Sequence, residues 1–265
     1  MCTQVTGDCL YPDWIASYFI PLIHRTSSIT ILPNYRLTPE SPGSAILEDL
    51  SDFWKWFHSG AVSTFLSSQG HDLDLDFSRV LATGDSAGGY MALMSALTQP
   101  KGSINAVLAQ YPMTSPLTCE PAATFFGMPA PGPEVAEQHI SSMTSDAVIS
   151  SVVPPARMAL SYSLVAYGHY LKHFGDDAKL WPVGLIGEAK SMPPTWIVHG
   201  DADVAVDIGG SRKFAEVWEK GGVEGEVRMH VEGGANHGFD IATKESEAGW
   251  LREGLEWIEG CWLKK

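Results

Sequence analysis

The chain has 265 residues, 45% of them hydrophobic and 18% charged, with a formal net charge of −14 and an isoelectric point near 4.9. That length holds one large α/β domain or two small ones, and the composition excludes a disordered chain. So acidic a surface repels nucleic-acid phosphates and anionic membranes, so neither is an expected partner and a small molecule is the better match.

No apolar run approaches bilayer length, and no basic segment leads into an apolar stretch at the N-terminus, so neither a membrane span nor a secretory signal is expected. Cys2, Cys9, Cys119 and Cys261 form no C-x-x-C pair and no zinc spacing. They read as reduced, mostly buried thiols of a cytoplasmic protein, with no metal or organic cofactor implied.

Five apolar runs read in chain order as buried parallel strands: Ile29–Tyr35, Arg79–Asp85, Ala106–Tyr111, Thr195–Gly200 and Glu226–Val231. Helical patterns alternate with them over Ala45–His58, Ala87–Leu97, Ser211–Glu219 and Lys244–Ile258. Short apolar runs alternating with helices predict an α/β fold with a mostly parallel sheet flanked by helices on both faces. One stretch breaks the rhythm. Between the third and fourth strands lie about eighty residues, within 113–194, too long for a plain connection in a compact domain. They contain a short helical pattern at Glu134–Met143 and a longer one at Pro155–His173. The expectation is one domain, 1–265, carrying a helical cap inserted over the active-site end of the sheet. Phe125, Phe126, Met128, Tyr162, Tyr167 and Tyr170 are candidates for an apolar pocket lining, with core packing the competing role.

Gly84-Asp85-Ser86-Ala87-Gly88 is a G-x-S-x-G sequence at the junction of an apolar strand and a helix. That context suits a nucleophilic serine on a tight turn, where small flanking residues let strand and helix pack closely. The helix beginning at Ala87 aims its positive end at the site, so the Ala87 N–H is a candidate oxyanion donor; Asp85 and Gly7 are further candidates for the oxyanion or substrate position. A serine hydroxyl needs a base. Of nine histidines, His237 lies in a glycine-rich loop after the last strand. His24, His58 and His173 fall on helical patterns, and His199 ends a strand ahead of the acid candidates. Two of those, Asp201 and Asp203, follow the fourth strand. Asp201 suits the turn itself, so Asp203 is favoured, with Glu232 a distant third.

These residues, with Pro33-Asn34-Tyr35-Arg36-Leu37-Thr38-Pro39-Glu40, Gly84-Asp85-Ser86-Ala87-Gly88-Gly89, His199-Gly200-x-x-Asp203 and His237-Gly238-Phe239, resemble the hormone-sensitive-lipase family of α/β-hydrolases. The resemblance implies carboxylesterase chemistry and the same triad of Ser86, Asp203 and His237. Tyr35, Arg36 and Glu40 read as structural braces. Members of that family carry a His-Gly-Gly-Gly segment that supplies oxyanion donors. Counted back from Gly7, its place falls at and before Met1-Cys2-Thr3. The expectation is therefore an N-terminally truncated sheet, lacking a strand between those ending at Tyr35 and Asp85. The gap would be met by direct pairing of the two flanking strands, by a stub at Cys2–Thr6, or by another chain, as in a homodimer. Losing one oxyanion donor costs about 10²–10³ in rate.

The leading expectation is a serine hydrolase acting on a small-molecule ester or lactone. A cyclase, lyase or dehydratase using His237 as base is the second reading, since one fold hosts many chemistries. A ligand-binding protein with an idle serine is the third.

Overall fold

The computed structural model describes residues 4–118, 124–125, 128–129 and 131–264. Its main sheet has four parallel strands in the order β1 (Leu81–Asp85), β2 (Ala106–Gln110), β5 (Thr195–Gly200) and β6 (Val227–Glu232). A two-stranded antiparallel hairpin, β3 (Thr124–Phe125) and β4 (Met128–Pro129), stands apart from it. The helices are α1 (Phe19–Thr26), α2 (Gly43–His58), α3 (Ala61–Ser68), α4 (Ala87–Thr98), α5 (Pro133–Ser142), α6 (Met158–Ala166), α7 (His169–Phe174), α8 (Pro182–Ile186), α9 (Ile208–Gly221) and α10 (Gly249–Trp262).

Successive strand residues point to opposite faces, so a strand buried on both sides reads as a continuous apolar run. β2 and β5 show this. Val107, Ala109 and Ile197 enter one core with α2, α4, α9 and the helices of the 113–194 segment. Ala106, Leu108, Trp196 and Val198 enter a second core with α1 and α10. The helical pattern expected at Pro155–His173 is two helices. Gly168, with φ +70°, breaks it.

One expected strand is not a strand. Ile29–Tyr35 runs from α1 toward α2 without secondary structure, with Ile29 and Leu32 exposed. The run has strand-like residues, but a strand exists only through a ladder partner, and β1 hydrogen-bonds to β2 alone among the described residues. The two flanking segments therefore do not close up on each other. Of the expected stub, Cys2 and Thr3 lie outside the described residues, and Gln4–Thr6 form a turn. Gly7 pairs instead with Val152 in an isolated antiparallel bridge.

The braces read from the sequence are present. Arg36 donates through Nε to both oxygens of Asp49, at 2.9 and 3.1 Å, and through Nη2 to the carbonyl of Ala45 at 2.7 Å. Glu40, its side chain 4% exposed, accepts from Arg157 and lies 2.9 Å from His139. It thereby ties the loop before α2 to the 113–194 segment. Cys9 and Cys261 are half-buried free thiols, and Cys119 lies outside the described residues.

Candidate active site

Ser86 sits at the C-terminal end of β1 with φ +53° and ψ −113°, a conformation costly for a residue with a Cβ. The turn is held from both sides. The Ser86 N–H donates to the Gln110 carbonyl at 2.8 Å, and the Met113 N–H donates to the Ser86 carbonyl at 3.3 Å. The glycines around it are spatially required. A Cβ on Gly84 would stand 2.4 Å from the Gly88 carbonyl carbon, and one on Gly89 would stand 2.9 Å from Pro112 Cβ. Strand and helix are that close because the serine must turn between them.

His237 Nε2 lies 3.0 Å from Ser86 Oγ, and His237 Nδ1 lies 2.7 Å from Asp203 Oδ2. A carboxylate only accepts, so Nδ1 carries the hydrogen and Nε2 presents its lone pair to the serine hydroxyl. The side chains of all three are nearly or wholly excluded from solvent. The Asp203 carboxyl is held well below the usual carboxylate range. Burial works the other way, but hydrogen bonds from His199 and His237 outweigh it. Burial lowers His237 below its ordinary 6.5, against the raising effect of Asp203. The ring is therefore neutral at neutral pH, the form in which an imidazole can accept a proton.

The loops are laced together by residues the motif does not name. Asn236 Oδ1 accepts from the N–H groups of His237 at 2.7 Å and Val204 at 3.1 Å, joining the base loop to the acid loop. Asp201 Oδ1 accepts the Gly234 N–H at 2.6 Å, the turn role the sequence suggests for it. Glu232 lies 2.8 Å from His230 Nε2, on β6. Gly200 has no room for a side chain, since a Cβ would stand 2.2 Å from the Ala235 carbonyl oxygen.

Behind the Ser86–His237–Asp203 cluster lies a buried acidic pocket. Asp240 is fully buried and accepts from the Tyr18 hydroxyl at 2.8 Å, and Tyr18 in turn accepts from Gln110 Nε2 at 2.6 Å. Burial raises Asp240 above its ordinary value, and burial together with Asp240 pushes Asp85 up to about 6. The Tyr111 ring packs against His237 with centroids 4.5 Å apart. Tyr111 itself has φ +34°, a second strained residue at the strand ends. The sequence signals neither Asp240 nor Tyr111, whose partners come from remote parts of the chain.

Of the candidate oxyanion residues, Ala87 opens α4 beside Ser86, where a first-turn N–H has no intrahelical acceptor. Asp85 lies within electrostatic reach of Asp240, Tyr18 and Tyr111. The Gly7 N–H is spent on the Val152 carbonyl at 3.0 Å, which removes it from the donor set in this conformation. Tyr162 and Tyr170 are core residues, 5% and 0% exposed, and Tyr167 is half-buried. The side chains of Phe125, Phe126 and Met128 lie outside the described residues. Among the described residues, no three His, Cys, Asp or Glu side chains are grouped to hold a metal ion. No helix among them is long and apolar enough to cross a membrane.

A family pattern described as the α/β hydrolase fold matches residues 12–241. The chain is 28% identical to a probable carboxylesterase, M8, of a Phoma species, over 97% of this chain and 82% of that one. It is 30% identical to the probable carboxylesterase clz11 of Cochliobolus lunatus, over 68% of this chain and 87% of that one. Among solved structures, a Staphylococcus aureus protein of unknown function superposes with a TM-score of 0.64 at 18% identity, over 97% of this chain and 86% of that one. With a sheet, a serine turn and a family match that span the same residues, the chain belongs to the α/β-hydrolases, in the hormone-sensitive-lipase-like family its motifs resembled.

Proposed function

We propose that the chain is a serine carboxylesterase cleaving an ester or lactone of a small, largely apolar molecule through an acyl-enzyme. One observation carries this: the hydrogen-bonded line from Ser86 Oγ through His237 to Asp203, built on a strained strand–helix turn. In this reading His237 Nε2 takes the serine proton as Oγ attacks the ester carbonyl. Asp203 holds the imidazolium that forms, and the Ala87 N–H donates to the developing oxyanion. His237 then returns the proton to the leaving alcohol, and water repeats the sequence to release the acid. The likeness to two probable carboxylesterases supports ester over amide substrates.

The test uses the whole chain with p-nitrophenyl acyl esters and a fluorophosphonate probe. The wild type is expected to turn over the esters and to be labelled at Ser86. Ser86→Ala is expected to lose at least about 10⁴ in kcat and all labelling while staying folded. A folded wild type with an unreactive Ser86 would overturn the proposal in favour of a binding role. Labelling without ester hydrolysis would point to non-hydrolytic chemistry at the same site.

A further inference from the structure

Asp203 is not held by His237 alone. His199, the penultimate residue of β5, is fully buried. Its Nε2 lies 3.3 Å from Asp203 Oδ2, the same oxygen that His237 Nδ1 meets at 2.7 Å. The other carboxylate oxygen, Oδ1, accepts the N–H groups of Ala205 at 2.8 Å and Val206 at 2.9 Å. A carboxylate offers about four acceptor positions; three carry hydrogen bonds, from Ala205, Val206 and His237, and His199 faces the fourth.

The tautomer of His199 follows from its neighbours. Nε2 lies 2.9 Å from the Val206 carbonyl oxygen, which can only accept, so Nε2 carries a hydrogen. That one N–H bonds Val206, and Asp203 Oδ2 stands beside it, 3.3 Å from the same nitrogen. Nδ1 lies 2.9 Å from Ser211 Oγ, and in the neutral ring it accepts the serine hydroxyl. Among the described residues, Tyr111 also faces the ring, with centroids 6.5 Å apart, His237 lies beyond the shared carboxylate, and the Asp240 charge acts on His237 from behind.

Resting on the esterase reading, we propose that His199 is a positioning residue that shares Asp203 with His237, fixing the carboxylate and tempering its pull on the His237 proton. Without the His199 donor, one oxygen of a dry carboxylate loses a partner. The carboxylate either rotates or concentrates its negative charge on His237. The imidazolium is then better stabilised, and the base stays protonated to higher pH. A histidine that only pinned α9 to β5 would affect stability and leave the pH profile where it was.

The full chain labelled with ¹⁵N-histidine reports the His199 tautomer directly, and the downfield His237 Nδ1 proton reports the shared carboxylate, both independently of turnover. Esterase kinetics then compare the wild type, His199→Phe and His199→Gln. The Gln amide nitrogen reaches the place of Nε2. In the wild type, His199 Nε2 is expected to carry its hydrogen. His199→Phe is expected to lose about tenfold in kcat with KM unchanged, and its acid limb of kcat/KM moves to higher pH. His199→Gln is expected to restore the limb and the His237 proton resonance toward wild type. An unmoved limb in His199→Phe, or a Gln variant no closer to wild type than Phe, overturns the proposal. Should His199→Phe fail to fold, an Nδ1–H tautomer of His199 in the wild type, or a His237 proton in His199→Gln displaced far from its wild-type position, overturns it. A wild type that neither hydrolyses esters nor takes the probe sinks the esterase reading, while the tautomer and the His237 resonance still report on His199.

Discussion

Asp85 precedes Ser86 in sequence and lies within electrostatic reach of Asp240, Tyr18 and Tyr111. Burial, then the Asp240 charge, lifts it from 3.8 to about 6. An acid raised in this way holds its proton better folded than unfolded. Its contribution to stability is therefore fully present below pH 3.8 and is lost as pH rises through about 6. Asp85→Asn removes a carboxylate that must otherwise be buried charged. Relative to wild type it is expected to gain on the order of 1–2 kcal/mol between pH 4 and pH 8, allowing for the partial exposure of the residue. Urea unfolding at both pH values measures this. A stability difference that stays constant with pH would show that Asp85 does not titrate in the folded chain. At this scale the sequence reveals what chemistry needs locally. Ser86 is legible because its glycines are adjacent to it, and His237 because its loop follows the last strand. Asp240 is invisible as a functional neighbour, since its hydroxyl partner Tyr18 comes from the other end of the chain. His199 is visible as a histidine but not as a ligand of Asp203, because that depends on how the loop folds back over Val206.

Elements show the same division. The amphipathic stripe of α2 fixes it from sequence to within two residues at its start, because Ile46, Leu50 and Trp54 all meet one core. Ile29–Tyr35 has equally apolar residues and is no strand, because strand identity depends on a neighbour rather than on composition. The ion pair of Glu40 lies between these cases. Its residue types suggested a brace, and the structure adds the partner, Arg157, just before α6. Burial alone would raise Glu40, but Arg157, a backbone N–H and His139 hold it below 4.5. Arg157→Ala takes the guanidinium from a buried carboxylate that keeps His139 and a backbone N–H, and is expected to cost about 1–3 kcal/mol. Urea denaturation at pH 7 checks it, and a loss below about 1 kcal/mol would mean that water reaches Glu40. The same variant lets the loop before α2 part from the inserted segment, so any loss of activity is expected in KM before kcat.

For the whole molecule, the question is whether the inserted segment is a lid that lifts or a wall of the building. Tyr162, Leu164, Tyr170, Phe174, Trp181 and Ile186 all join the same buried cluster as α2, α4, β2 and β5. The Trp181 ring lies 6.1 Å from Tyr90 and 5.0 Å from Phe174, and Tyr90 stands one helical turn beyond Ser86. Lifting α6 to α8 would therefore expose the helix that carries the serine turn. Large apolar side chains shared in this way couple elements into one cooperative unit, because neither side keeps its buried area without the other. Native-state hydrogen exchange in low urea is expected to show α6, α7, α4 and β2 losing protection at one common free energy, with α3 and the exposed Ile29–Tyr35 connection opening far earlier. Inserted helices that exchange well below β2 would identify a separable lid. The cooperative outcome instead requires substrate to reach Ser86 through movement of the shorter loops around the strand ends, with the helical layer fixed. In that case substrate size is limited by the loops, and variants in α6 or α7 change stability and activity together.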